Sequence, residues 1–138
     1  MSLDIKRSIR TAPEQGALRV PFEKMADKAL GAKYELSLVL CGDTLARRIN
    51  REYRNKSYFP NVLSFEIAQH EGEIFLNVRK AQREARSMGV SERERVALLF
   101  VHGLFHLKGL PHGRTMEREE ARVLRAFGFK WHGASTPA

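Results

Sequence analysis

Apolar and polar positions along this chain fall into short blocks of two different periods. Leu3-Asp4-Ile5-Lys6-Arg7-Ser8-Ile9 alternates weakly, the period of an edge strand. Phe22, Met25, Ala26, Ala29 and Leu30 then recur at helical spacing. Pro21, whose fixed φ suits a first helical position, precedes them, and Gly31 supplies the stop. Residues 34–40 predict a strand that ends at Cys41-Gly42. Asp43 is expected to cap the next helix, with Leu45, Ile49 and Tyr53 facing the core. Residues 61–68 alternate again, Leu63, Phe65 and Ile67 on one side, Ser64 and Glu66 on the other. A turn at His70-Glu71-Gly72 and a second run over 73–78 predict an antiparallel hairpin. A polar helix follows over 79–88 and stops at Gly89.

The next block differs from all of these. Ser91 and Glu94 stand in the S-x-x-E spacing of a capping box. The residues behind them, 96–107, are apolar all round, which places this helix in the middle of the molecule. A last helix over 116–127 turns Val123, Leu124 and Phe127 inward and ends at Gly128, and the tail over 132–138 is expected to be loose. The expected fold is α+β: a small mixed sheet of about four strands, hairpin included, packed with about five helices around a central one. A length of 138 residues and 43% hydrophobic content fit one domain over 1–138 with its own core. One cysteine, Cys41, excludes an intrachain disulfide framework, and the longest apolar run is too short to span a bilayer. Met1 to Arg7 has no apolar segment of a secretory signal, so the cytoplasm is the expected compartment.

That central helix also carries chemistry. His102, His106 and His112 have the spacing H-x3-H-x5-H, and residues four apart on a helix share a face. Gly109, at the position of a C′ glycine, and Pro111 beyond it let the chain fold back and bring His112 towards the other two. Three neutral imidazoles on one point are a grip for a divalent transition ion with one coordination position open. The longer spacing H-x3-H-x2-G-x2-H is also that of zinc proteases. In those a Glu follows the first histidine as general base, whereas here Gly103 occupies that position.

Charge narrows the partner. The chain carries a net +8, which favours an anionic ligand, nucleic acid foremost. Arg47, Arg51 and Arg54 lie on one helical face, with Lys56, Tyr53, Tyr58 and Phe59 nearby, an expected phosphate wall with aromatics for unpaired bases.

Two stretches together resemble the YbeY family of bacterial metal-dependent endoribonucleases. One is His102-Gly103-Leu104-Phe105-His106-Leu107-Lys108-Gly109-Leu110-Pro111-His112, similar to the family's HGxLHLxGYDH. The other is Asn50-Arg51-Glu52-Tyr53-Arg54-Asn55-Lys56 with Asn61-Val62-Leu63-Ser64-Phe65. The resemblance implies that His102, His106 and His112 bind one Zn2+ per chain or a similar divalent ion. It implies that Arg54 is the functional arginine beside the metal, so His102 and Arg54 are the expected catalytic residues; Arg47, Arg51, Lys56 and Ser64 are the expected RNA contacts. The implied substrate is single-stranded RNA, in 16S ribosomal RNA 3′-end maturation and ribosome quality control. Leu110-Pro111 stands where the family has Tyr-Asp, and Ser57 where it usually has Asp. These departures motivate the alternative of a metal-stabilised RNA- or ribosome-binding module without turnover; a metalloprotease is the third reading.

Overall fold

The computed structural model describes residues 1–9 and 19–131, so the tail expected over 132–138 lies outside the described residues. Among the described residues, strands β1 (Ser2–Arg7), β2 (Glu35–Cys41), β3 (Val62–Ala68) and β4 (Glu71–Asn77) form one sheet in the order β1-β2-β4-β3. The helices are α1 (Phe22–Leu30), α2 (Asp43–Arg54), α3 (Val78–Met88), α4 (Glu92–Leu107) and α5 (Arg114–Ala126). β1, β2 and β4 run parallel, and β3 returns antiparallel to β4. The fold is the expected α+β arrangement, with β1 on an edge.

Strand alternation sends side chains to both faces. Leu36, Leu38 and Leu40 of β2 join Ile74 and Leu76 of β4 in the main core, whereas Val39, Cys41 and Phe75 meet Ala46 and Leu45 of α2 on the other face. α4 covers the main-core face and packs against β3, β4, α1, α3 and α5. Its buried residues run without a gap from Arg95 to Phe105, so the prediction of a central helix holds. Arg95 is the one charge in that stretch, and Glu84 of α3 takes its guanidinium at 2.9 Å. Glu84 also accepts from the Asn61 side chain at 3.3 Å, which ties the start of β3 to α3 and α4.

Gly103 explains how closely α4 lies on the sheet. A Cβ there would stand 2.9 Å from Ser64 Oγ, 3.2 Å from Ile74 and 3.3 Å from Val62. A larger side chain would push the helix off β3 and β4. The position is therefore a packing contact, with no room for a protease's glutamate.

Four local expectations need correction. Tyr53 does not face the core: it is 68% exposed, and α2 buries Ala46, Ile49 and Asn50, with Leu45 half-buried. Steps of four residues advance about 400°, so a row of i+4 positions drifts out of the contact by its third member. Asp43 does not cap α2. Gly42 is the cap residue, and the Asp43 carboxylate instead accepts from Arg83 and from Asn77, each at 2.9 Å. Pro21 sits one residue outside α1 rather than at its first position. The hairpin turn is Gln69-His70, with His70 at φ 60°, and Glu71-Gly72 already belong to β4.

Asn77 is the joint between the two faces. Its amide donates to Asp43 at 2.9 Å and to the Pro60 carbonyl at 3.1 Å, while its oxygen caps α3 by accepting from Lys80 N–H at 3.1 Å. One buried side chain thus fixes α2, the loop before β3 and the start of α3.

Candidate metal centre

Both ends of α4 follow their sequence signals, and the C-terminal one brings the histidines together. At the start, Ser91 Oγ accepts from Glu94 N–H at 3.0 Å, as the capping box predicts. The Glu94 carboxylate accepts from the Ser91 hydroxyl at 3.1 Å, in place of the backbone N–H of the usual box. At the finish, Leu110 N–H donates to Phe105 C=O at 3.1 Å and Gly109 N–H to His106 C=O at 3.0 Å. This is the paired bond pattern of a Schellman stop, and Gly109, at φ 89°, takes the conformation that lacks a Cβ penalty. The reversal returns His112 to the helix: its ring centroid lies 5.1 Å from that of His102 and 4.6 Å from that of His106.

The three imidazoles offer nitrogens that all lie within 4.8 Å of one another. Nε2 of His102 and Nε2 of His106 stand 2.9 Å apart, close enough to share a proton or flank one cation. Tetrahedral nitrogens about 2.0–2.1 Å from an ion are separated by roughly 3.3 Å, a spacing these distances bracket. The donor set fits a transition ion with a position left open. The C-terminal end of α4, with its outward carbonyls, also favours a cation here.

Sequence reasoning missed the residue that orients the grip. Glu120 of α5 is fully buried, and its Oε2 accepts from Nδ1 of the equally buried His102 at 2.6 Å. That bond holds the proton on Nδ1 and leaves the Nε2 lone pair facing the other two histidines, the carboxylate–histidine pairing common behind metal ligands. Its signal in the sequence is faint: a carboxylate on the same stripe as Met116, Val123 and Leu124. Burial first, then His102, His112 and Arg54, pushes the imidazole of His106 down to about 4, so it is a neutral donor at neutral pH. Cys41 is no competing ligand or nucleophile, because burial and then Asp43 push its thiol up to about 12.

Arg54, at the last turn of α2, reaches the same space. Its guanidinium donates to the Ser64 carbonyl at 3.4 Å and lies 5.6 Å from the centroid of the Phe65 ring. Phe65 is held edge-on between Tyr53 and Phe75. Exposed Tyr53 therefore supports the platform under Arg54. Ser64 donates its hydroxyl to the Gly103 carbonyl at 2.9 Å, which locks β3 to the histidine helix. Arg51 and Arg47 continue the exposed face of α2, about 4.5 and 10.5 Å along the axis from Arg54. Arg47 stacks over the Phe59 ring at 5.3 Å. Lys56 is exposed in the loop beyond, where its N–H donates to Asn50 C=O at 3.2 Å.

The fold and the site together define a class: an α+β protein with three histidines backed by a carboxylate, open beside a guanidinium. The family model described as Endoribonuclease YbeY matches residues 6–128. Curated relatives carrying that name include those of Geobacter metallireducens, 37% identical over 72% of this chain and 75% of the relative, and Helicobacter pylori, 37% identical over 76% and 79%. That of Aromatoleum aromaticum is 38% identical over 73% and 71%. A solution structure of a Thermotoga maritima protein has the same fold, with a TM-score of 0.60 and 16% identity over 87% of this chain and 86% of that one. The chain belongs to the YbeY endoribonuclease family.

Proposed function

We propose that this chain, acting as one domain, is a zinc-dependent endoribonuclease that cuts single-stranded RNA. We place it in the cytoplasm, in 16S ribosomal RNA 3′-end maturation and ribosome quality control. Family membership supports the reaction class. The observation that carries the site assignment is the His102–His106–His112 cluster, with Arg54 near enough for its charge to act on His106.

A zinc-type ion, when bound, supplies a Lewis acid and an acidified water. The chain's own residues do the rest. Glu120 holds the His102 proton on Nδ1, so that His102 presents a lone pair without rearrangement. The Ser64 carbonyl and the Phe65 ring steer Arg54, whose guanidinium offsets the charge that grows on a phosphodiester oxygen during hydrolysis. Arg51, Arg47, Lys56 and Ser64 contact the neighbouring RNA backbone. His102 and Arg54 are the catalytic residues in this reading.

The test is cleavage of single-stranded RNA by the purified protein, with and without chelator and after His102→Ala. Cleavage should fall to background in both cases. Tight, salt-sensitive binding with no turnover would favour the binding-module reading, and turnover that survives both treatments would reject the assignment.

A further inference from the structure

A groove of about 450 Å³ on the outer side of α5 is not used by the reading above. It is lined by Arg114, Glu117, Arg118, Ala121, Arg125 and Trp131. Residues 114, 118, 121 and 125 fall at i, i+4, i+7 and i+11, one stripe about 16 Å long. Its opposite face carries Glu120, whose carboxylate meets His102. α5 is therefore a helix with a site carboxylate inside and a row of arginines outside.

Three observations say what the row is for. None of Arg114, Arg118 and Arg125 forms an ion pair among the described residues, whereas Arg122, off the stripe, is paired with Glu119 at 2.7 Å. Among the described residues, Glu117 is the only acid lining the groove, against three guanidiniums. The row begins two residues after His112 and reaches a half-buried indole, Trp131. A narrow line of unpaired arginines with one aromatic ring suits a single strand, phosphates on the arginines and a base on the ring. A membrane surface is disfavoured, because the large exposed hydrophobics, Tyr53, Tyr58, Phe59, Ile67 and Met88, all lie off this helix.

We propose that Arg114, Arg118 and Arg125 with Trp131 form a second RNA-binding surface, which takes the part of the strand that leaves the centre past His112. The proposal rests on the endoribonuclease reading. It makes the enzyme sensitive to substrate length as well as to the bond cut.

The experiment compares wild type with the triple variant Arg114→Gln, Arg118→Gln, Arg125→Gln on single-stranded RNAs of 6 and 20 nucleotides, over a salt series. For the 20-mer, loss of three phosphate contacts should lower the steepness of log kcat/KM against log salt by about 2. KM should rise by roughly tenfold or more at low salt while kcat holds. The 6-mer should behave as with wild type, Arg122→Gln should change neither substrate, and the corresponding triple Lys variant should keep the steep slope. Equal losses on both lengths, or an unchanged 20-mer, would overturn the proposal and leave the nuclease reading standing. So would capture of an acidic peptide by the same arginines with RNA kinetics unchanged. If wild type cleaves neither RNA, the nuclease reading fails and takes this surface with it.

Discussion

The histidine helix and the arginine helix bring His106 and Arg54 near one another but are built in opposite ways. α4 is buried along nearly its whole length, and its histidines are fixed by spacing, a Schellman stop and a buried carboxylate. α2 buries only Ala46, Ile49 and Asn50, and Arg54 rests on one carbonyl and one ring. A metal grip needs atoms placed to a few tenths of an ångström before the ion arrives, so it belongs where packing leaves no slack. A guanidinium that meets a phosphate can find its place as the substrate binds, so it belongs on a solvated face. Damage to α4 should therefore act through geometry and metal, and damage to α2 through charge.

The sharpest break in that comparison is Arg54→Ala. It should lower kcat by about 10²–10³-fold while bound metal is unchanged, measured as turnover beside metal content. Loss of metal in this variant would mean that Arg54 and the histidines form one structural unit. Glu120→Gln should do the reverse, weakening metal affinity by about 10–100-fold with the fold intact, as read by competition with a chelator.

A smaller effect separates the way the two helices are anchored. The Asp43 carboxyl is held below its ordinary 3.8, chiefly by its hydrogen bonds from Arg83, with Asn77 and nearby positive charge adding to it. A carboxyl depressed in the folded state contributes stability that is present above pH 3.8 and lost as pH falls through the folded value. Asp43→Asn should cost about 1 kcal/mol at neutral pH, and the gap to wild type should close below pH 3.8. Urea denaturation at pH 7 and pH 3 reads it. A gap that stays constant would mean that shape, and not charge, anchors α2.

Much of this was legible in the chain. The histidine spacing, the Gly109 stop and the Ser91–Glu94 box act within a few residues, so local rules find them. The hairpin and the central helix follow from period and composition. What stayed hidden depends on partners far along the chain. Glu120 is eighteen residues from His102, and a single acid on a polar helix carries no mark of its partner. Asn77 gathers Asp43, Pro60 and Lys80 from three segments. The i+4 spacing points Tyr53 at the core, but the drift of that row turns it outward to brace Phe65. The buried carboxylate that meets His102 comes from α5, which only the folded chain discloses.

The central claim is that three histidines, preset by α4 and Glu120, form one metal centre. Metal content per chain tests it most directly, measured on purified wild type, His112→Ala and the double variant His102→Ala, His106→Ala, each verified as folded. One bound transition ion is expected per wild-type chain, a sharply weakened ion in His112→Ala and none in the double variant. An ion retained at full stoichiometry in the double variant would contradict it.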